Sequence, residues 1–405
     1  MPLCLFSHAR LVDRFERLDA FLLRHQALWR PRPFTHIYLP WEASHPELSR
    51  WLRSRSLKEA EDAHNHPEHL AAPAPFRELA EQAKTLSDVP ALPQHTAELA
   101  YAHPPADVPG RKWQQIQAFD ASLVFTERPR HWLDWCAGKG HLGRQLAARG
   151  GTLTCLEKDP ALVNAGAALS QRMGIEADHR QQDVLSDDAA GQLTSNLTPV
   201  ALHACGDLHV RLLRLSISQG CPQLAVAPCC YNRIQTDHYQ PLSGNALRSE
   251  LKLSRDDLGL PLSETVTAGA RERRQRDQSM AWRLGFDLLQ RELRGHDSYL
   301  PTPSLPSAWL KRSFRDYCRH LAALKGLPEP QYEAWTTLEH RGWQRLAEVR
   351  NLELLRALFR RPLEIWLLLD RALLLAEHGY SVQLGTFCPS SLTPRNLLLV
   401  AERSD

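Results

Sequence analysis

The segment HWLDWCAGKGHLG, residues 131–143, joins an apolar run to three closely spaced glycines. Gly138, Gly140 and Gly143 have the spacing G-x-G-x-x-G, in which glycines let the backbone approach a bound nucleotide. Glu157 ends the next apolar run, nineteen residues after Gly138, where an acidic side chain accepts hydrogen bonds from ribose hydroxyls. The combination predicts a strand, a turn, a helix and a second strand that together bind a nucleotide-like cofactor.

Short apolar runs alternate with helix-like segments beyond this turn. The runs TLTCLE, PVALHA and QLAVA are separated by segments with helical periodicity, and a strand end is predicted at RQQDVLS. This alternation favours βαβ units and a parallel sheet whose loops meet at its carboxyl edge. A helix predicted over 352–378 precedes SVQLGTF and LLLVAER, which we expect to close the sheet as an antiparallel pair. The predicted fold class is therefore α/β.

Two kinds of cofactor use this arrangement, a dinucleotide and S-adenosylmethionine. The strand before the glycines carries Asp134, and a carboxylate there suits the ammonium group of S-adenosylmethionine better than a pyrophosphate. We expect Asp183, which follows a third strand, to lie near the adenine amino group. Because the side chains offered to the ligand are acidic, the sequence favours S-adenosylmethionine. A nicotinamide-dependent dehydrogenase is an alternative.

A second group of chemically active residues follows the next two strands. One strand ends with His203, Cys205 and Asp207, and the following one with Cys230 and Tyr231. Adjacent carboxyl ends would bring these side chains together beside the cofactor. They are candidates for binding the substrate, for accepting a proton and for a role that uses a thiol. The thiols are equally typical of plain packing in a protein core, and Asp207 is also typical of a helix cap. The cysteine spacing is unlike that of zinc sites, so we expect no metal.

Composition excludes several classes of protein. The 405 residues are 43% hydrophobic and 23% charged, with a net charge of +3, which is typical of a globular protein. Nine cysteines are too few for a disulfide framework in a chain of this length. Charged residues interrupt the apolar stretches at both ends, so we expect neither a signal peptide nor a membrane span. The sequence predicts a soluble, cytoplasmic protein.

Arginine clusters make RNA a candidate partner. Arg111 and Lys112 lie ahead of the glycine turn, and two further clusters occur later in the chain. The clustered arginines are Arg271, Arg273, Arg274, Arg276, Arg356, Arg360 and Arg361. Such side chains contact phosphates, but the same pattern also occurs on solvated helix faces. The oligomeric state is left open by the sequence.

The chain is predicted to have four segments. Residues 1–105 form an N-terminal helical region without a recognisable motif, and 106–242 form the cofactor-binding core. Residues 243–345 are polar and helical, which indicates an insertion suited to substrate recognition. Residues 346–405 add the last helix and the closing strand pair to the core.

Several motifs resemble those of one group of class I methyltransferases. The matching pieces are GRKWQQIQ, DWCAGKGHLGRQLA, LHACGDL, APCCYN and LTPRNLLLVA, in family order. The group comprises methyltransferase-like proteins described as ribosomal-RNA-adenine-dimethylase-domain-containing, and it is distantly similar to tRNA acceptor-stem 2′-O-methyltransferases. The resemblance implies a Rossmann-like, seven-stranded class I methyltransferase sheet with a helical insertion and an N-terminal helical region.

The resemblance also implies roles for individual residues. The implied cofactor contacts are Asp134, Ala137, Gly138, Gly140, Glu157 and Asp183. The implied catalytic residues are His203, Asp207, Cys230 and Tyr231, with Arg395 and Asn396 as further contacts on the substrate side. Two positions depart from the patterns of methyltransferases: Cys136 replaces a common glycine, and Tyr231-Asn232 replaces the histidine pair of the tRNA enzymes.

The expected function is therefore S-adenosylmethionine-dependent methyl transfer to RNA. A protein or small-molecule methyltransferase is an alternative, and so is a non-catalytic module that retains the cofactor fold. If the protein is an enzyme, His203 or Asp207 is the expected proton acceptor.

Overall fold

The computed structural model describes residues 5–95, 108–148, 150–263 and 270–403. Contacts group them into two units. The sheet unit lies within Met1–Leu23, Leu86–Val266 and Arg361–Asp405, and the helical unit lies within Arg24–Thr85 and Thr267–Arg360. Each unit is built from segments that are distant in sequence, whereas the four predicted segments are continuous stretches of chain.

The sheet has eight strands. They are β1 (Leu5–Phe6), β2 (His131–Trp135), β3 (Thr152–Glu157), β4 (Ala177–Gln181), β5 (Thr198–Leu202), β6 (Gln223–Ala227), β7 (Tyr380–Thr386) and β8 (Leu397–Arg403). Their order is β1-β7-β8-β6-β5-β2-β3-β4, with β2 to β6 parallel and β1, β7 and β8 paired antiparallel. The α/β, Rossmann-like fold is confirmed, and β1 adds one strand to the seven that were expected.

Fourteen α-helices lie in the part of the chain that the structure describes. They are α1 (His8–Arg24), α2 (Gln26–Trp29), α3 (Pro46–Arg53), α4 (Leu57–Ala63), α5 (Phe76–Ser87), α6 (Gly110–Ala121), α7 (His141–Ala147), α8 (Pro160–Arg172), α9 (Asp207–Ser218), α10 (Gly244–Arg248), α11 (Ala270–Arg294), α12 (Phe314–Leu324), α13 (Trp335–Ala357) and α14 (Arg360–Glu377). Five 3-10 helices span Pro40–Ala43, Pro67–His69, Asp187–Gln192, Asp257–Ser263 and Ser307–Lys311.

The core of the sheet unit forms because its central strands are apolar on both faces. Strands β5 and β6 are almost wholly buried, as expected for parallel strands between helices. Side chains of α6 and α7 join the strands in one cluster, which includes Trp113, Ile116, Phe119, Leu142, Leu146, Leu153, Val200 and Val400. The edge strand β4 has the polar sequence ADHRQ and is mostly exposed, which makes edge-to-edge association unfavourable.

The helical unit has its own core. Helices α11 and α13 approach closely where Gly342 faces Gly285: a Cβ on Gly342 would lie 3.1 Å from the Gly285 Cα. Aromatic side chains fill the remaining space, among them Trp282, Phe286, Phe314 and Tyr317. Glycine at the crossing therefore allows close backbone contact between the two helices.

The last two helices differ from the sequence prediction. The single helix predicted over 352–378 is wrong, because the chain turns at Leu358 and Phe359 between α13 and α14. The N–H groups of these two residues bond to carbonyls three residues back, which tightens and ends the first helix. Within the described ranges, no helix has both the length and the apolar character needed to cross a membrane.

Candidate active site

The turn after β2 has an unusual backbone. Cys136, Gly138 and Gly140 all have positive φ values, of 58°, 58° and 73°. Gly140 is required, since a Cβ there would lie 2.8 Å from the His179 Cε1 atom and 3.0 Å from Cys155 Sγ. At Gly138 a Cβ would meet nothing within 4 Å. The turn is therefore packed beneath Gly140 and open above Gly138, where a ligand can approach the backbone.

A buried arginine holds this turn in place. The Arg144 side chain, only 1% exposed, donates hydrogen bonds from Nη1 to the carbonyl oxygens of Lys139 at 2.6 Å and Gly166 at 3.3 Å. Sequence reasoning missed this residue. The available signal was a charged residue within HLGRQLA, a helix of the sheet unit whose residues are all buried.

Glu157 lies beside the open part of the turn. Its Oε2 atom accepts the Gly138 N–H at 2.9 Å, and its Oε1 atom accepts the N–H groups of Lys158 and Asp159 at 2.9 and 3.0 Å. Three backbone donors therefore fix the orientation of the carboxylate next to the glycine turn.

Asp134 is buried beneath the turn. Its Oδ2 atom accepts the N–H of Gly143 in the first turn of α7 at 2.9 Å. Burial raises the pKa of this carboxyl from 3.8 to about 6, although the Gly143 N–H and the positive charges of Arg144 and Lys112 oppose the increase. Asp134 therefore fastens α7 to β2, and contact with an ammonium group stays a prediction.

Asp183 is at the exposed end of the same region. Lys158 Nζ donates to its Oδ2 atom at 2.7 Å, and this bond, together with the Leu185 N–H, lowers the pKa of Asp183. The carboxylate is therefore paired with an exposed lysine. Its predicted contact with adenine requires that Lys158 move aside.

His203 follows β5 with a φ of 62°, a conformation rare for residues other than glycine. Its Nε2 atom is 2.8 Å from Gln115 Oε1, which can only accept, so Nε2 carries the proton and Nδ1 keeps the lone pair. Burial, aided by the positive charges of Arg395 and Lys112, lowers the pKa of His203 to about 4. The imidazole is therefore neutral near pH 7.

Three cysteines meet beside His203. Cys205 Sγ is 3.3 Å from Cys229 Sγ, and the Sγ atoms of Cys205, Cys229 and Cys230 all lie within 4.8 Å of one another. The hydrogen bond with Cys229 lowers the pKa of Cys205 to about 6, and the same contact raises that of Cys229. Burial raises the pKa of Cys230, so Cys205 is the member that most readily forms a thiolate.

Asp207 begins α9 and is held by the neighbouring loop. Its N–H donates to the Arg233 carbonyl at 3.1 Å, and its Oδ2 atom accepts the Gln235 N–H at 2.8 Å. Gly206 makes this approach possible: a Cβ there would lie 1.9 Å from the Arg233 oxygen. The loops after β5 and β6 are thus joined by backbone contacts.

Tyr231 lies in the core, with only 1% of its surface exposed. Burial raises its pKa, and the Arg371 guanidinium is 4.9 Å from the centre of its ring. Tyr231 follows β6 in a buried position, and its direct contact with a substrate stays a prediction. The other three predicted catalytic residues are less buried.

A buried polar network lies around Arg371 and was not foreseen from the sequence. Arg371 donates from Nε to His209 Nε2 at 2.7 Å and from Nη1 to the Tyr239 hydroxyl at 3.1 Å. Because His209 Nδ1 is 3.0 Å from the Ala204 carbonyl, its ring is the neutral Nδ1–H tautomer that accepts from arginine. The network anchors the loop between His203 and Asp207 from below.

Residues near the carboxyl terminus complete the site. Arg395 Nη2 donates to the Leu262 carbonyl at 2.7 Å, while its charge acts on His203 and Cys230. Asn396 is buried and bonds to the Cys388 carbonyl and to Arg361. Arg395 is therefore the member of the pair that lies close to the candidate site.

The arginine clusters differ in how available they are. Arg271 and Arg274 on α11 are exposed. Arg356 and Arg360 are buried and donate to the backbone carbonyls of Trp29 and His64. The second cluster therefore stabilises the fold and does not form a phosphate-binding surface.

The match to known proteins falls on this part of the chain. The family model described as a methyltransferase domain matches residues 111–237. These residues are similar to a methyltransferase domain. The match includes the glycine turn, Glu157, Asp183 and the two loops that carry His203 and the cysteines. It supports S-adenosylmethionine as the cofactor, which fits the open backbone at Gly138 and the oriented carboxylate of Glu157.

Comparisons of the whole chain with curated proteins and solved structures show weaker similarities. No curated protein matches the sequence. One similar structure, concerned with conversion of a disulfide bond into a thioacetal group during echinomycin biosynthesis, is 17% identical, with 31% of this chain and 55% of that chain covered and a TM-score of 0.24. A coclaurine N-methyltransferase bound to N-methylheliamine and SAH is 12% identical, with 86% and 91% covered and a TM-score of 0.25.

Proposed function

We propose that the chain is an S-adenosylmethionine-dependent methyltransferase that acts on RNA. The observation that carries the proposal is the open turn at Gly138, whose N–H bonds to the fixed carboxylate of Glu157. When bound, the cofactor supplies a methyl group activated by a sulfonium. Glu157 would accept hydrogen bonds from the ribose hydroxyls, and Asp183 would bind the adenine amino group once Lys158 moves away.

The acceptor side is formed by the loops after β5 and β6. Cys136 of the glycine turn is close enough to Cys205 for the two residues to interact electrostatically, so the two halves of the site adjoin. His203 offers the Nδ1 lone pair to a substrate hydroxyl or ring nitrogen, and Asp207 offers a carboxylate. The protein's contribution is mainly to position the acceptor, since the cofactor already carries the leaving group.

Positive charge at the site supports a polyanionic substrate. Lys112 and Arg395 both act electrostatically on His203, and Arg233 acts on Cys205. Phosphates of a nucleic acid are natural partners for such side chains. The resemblance to RNA-modifying enzymes in the motifs LHACGDL and APCCYN points to the same substrate class.

The helical unit provides a second surface suited to RNA. A cavity of about 590 Å³ is lined by Arg273, Arg274, Lys58 and Trp343, together with the acidic pair Glu61 and Asp277. Aromatic and basic side chains of this kind stack on bases and pair with phosphates. This surface supports the predicted role of residues 243–345 in substrate recognition.

The first test separates the cofactor from the substrate. Calorimetric titration with S-adenosylmethionine, S-adenosylhomocysteine and NAD should show micromolar binding of the adenosyl ligands only. Glu157→Ala should abolish that binding, whereas Glu176→Ala, an exposed acidic position outside the site, should leave it unchanged. Binding of NAD alone would overturn the methyltransferase assignment, and binding of no ligand would support an interaction module.

The second test identifies the acceptor. Protein and labelled S-adenosylmethionine are incubated with RNA and protein extracts, which are then treated with ribonuclease or protease. Label that ribonuclease releases supports RNA as the substrate, and label on a protein band contradicts it. RNA affinity should fall steeply with salt, and Arg395→Met should reduce that salt dependence.

A further inference from the structure

The cluster of three thiols formed by Cys205, Cys229 and Cys230 is not explained by methyl transfer alone. Cys205 follows β5, and the other two follow β6, so the cluster joins adjacent carboxyl ends of the sheet. The sequence did not predict a metal here because the spacing of the cysteines along the chain is unlike that of zinc motifs. The fold places Cys205 next to Cys229 and Cys230, although more than twenty residues separate them in the sequence.

We propose that Cys205, Cys229 and Cys230 bind one Zn²⁺ ion, or a similar thiophilic divalent ion, and leave its fourth coordination position open. Zinc–sulfur bonds of about 2.3 Å in a tetrahedral arrangement place sulfur atoms about 3.8 Å apart. One pair of sulfur atoms here is 3.3 Å apart, and all three lie within 4.8 Å of one another, so each separation is within about 1 Å of that value or below it. An ion therefore fits with shifts of less than an ångström or so.

The number of ligands indicates what kind of site this is. Among the described residues, the cluster offers three His, Cys, Asp or Glu ligand atoms. Structural zinc sites usually have four protein ligands, whereas catalytic sites have three and keep one position for water or substrate. Cys205 and Cys230 are partly exposed and Cys229 is buried, so the ion would be held at the wall of the site and reachable from it.

The surroundings favour a metal–thiolate complex. The charges of Arg233 and Arg395 act on Cys205 and Cys230 and would partly balance three thiolates around a divalent ion. The backbone contact between Gly206 and Arg233 fixes the two loops relative to each other. Preorganised ligands lose little freedom when an ion binds, which increases the affinity.

Binding of the ion to the three cysteines requires no oxidant or reductant. Each cysteine that is still protonated loses its S–H proton to the solvent, three metal–sulfur bonds form, and water molecules leave the hydrated ion. The fourth position would hold water or a polar substrate atom close to the glycine turn. Metal binding is measured without cofactor or RNA, so this inference stands or fails independently of the proposed function.

The test uses the full chain, purified under reducing, anaerobic conditions and stripped of metal. Titration with Co²⁺ should produce thiolate-to-cobalt charge-transfer absorption and the visible bands of a tetrahedral ion, at one ion per chain, and Zn²⁺ should displace it. A folded protein that shows neither signal at equimolar Co²⁺ would overturn the proposal. So would recovery of a Cys205–Cys229 disulfide under these conditions in place of three free thiols.

Variants assign the ligands. Cys205→Ala, Cys229→Ala and Cys230→Ala should each weaken Co²⁺ binding by about 100-fold or more. The matched control is Cys221→Ala, a buried cysteine of the sheet unit whose thiol donates to the Thr194 carbonyl. An equal loss in the control would contradict the assignment.

A measurement on the unchanged protein covers variants that fail to fold. Saturating Zn²⁺ should protect the three cluster cysteines from alkylation by iodoacetamide, as read by peptide mass spectrometry. Unchanged labelling of Cys205 and of the adjacent pair Cys229 and Cys230 would argue against the site.

Discussion

Asp134→Asn should stabilise the protein at neutral and alkaline pH. The carboxyl group is buried, and burial raises its pKa from 3.8 to about 6. The folded protein therefore holds this proton more tightly than the unfolded chain does. Between about pH 4 and pH 6 the folded state binds more protons, so its stability falls as the pH rises through that window.

The size of the effect follows from the difference between the two pKa values. Each pKa unit corresponds to about 1.4 kcal/mol, so an ionised Asp134 lowers the free energy of unfolding by about 3 kcal/mol above pH 6. Asparagine is isosteric and neutral, and its carbonyl oxygen can still accept the Gly143 N–H. We expect Asp134→Asn to be more stable by up to about 3 kcal/mol at pH 8 and to differ little near pH 4.

Urea unfolding at pH 8 and pH 4, followed by tryptophan fluorescence, measures both free energies. The control is Asp237→Asn, whose side chain is 93% exposed and which should show no such pH-dependent gain. A variant less stable than the parent at pH 8, or a difference that is the same at both pH values, would refute the reasoning. If Asp134 also binds the ammonium group of the cofactor, the more stable variant should bind S-adenosylmethionine more weakly.

Three further predictions concern the loop after β5 and the buried Arg371 network that anchors it. Gly206→Ala should destabilise the protein by about 3 kcal/mol or more in urea unfolding, since the new Cβ would lie 1.9 Å from the Arg233 oxygen; Gly174→Ala, with a similar φ and open surroundings, should cost about 1 kcal/mol. Because the pKa of His203 is lowered to about 4, the rate of methyl transfer should show no ionisation of this residue between pH 5.5 and 8, and an imidazole titration in that range by NMR would contradict it. Arg371→Met should lower the free energy of unfolding by about 3 kcal/mol, because its buried hydrogen-bond partners lose their donor; a loss below about 1 kcal/mol would show that the network is not needed.

The sequence was most informative where the signal is local. Apolar runs and the glycine spacing predicted β2, β3 and the turn at Gly138, because a buried parallel strand and a positive φ each restrict the residue types that fit. The turn and Glu157 lie together as expected. The cofactor contacts of individual residues stay predictions.

Features that depend on distant pairing could not be predicted. The two-residue strand β1 has no periodicity to detect, and its position is set by β7 at the other end of the chain. Arg371 and His209 lie on different helices, so nothing local indicates their contact. The burial of Tyr231 depends on the direction of its side chain after β6, which a motif does not specify.

The pairing of β8 with β6 has a consequence for the order of assembly. The parallel strands β2 to β6 are complete by Ala227, but β6 gains its second neighbour only when Leu397–Arg403 is in place. Until then an apolar strand has a row of unpaired backbone groups along one side, which is a template for association with other chains. A chain cut before β7 should therefore aggregate instead of folding into a smaller sheet, and efficient production should require either late strand insertion to be fast or a chaperone to cover β6.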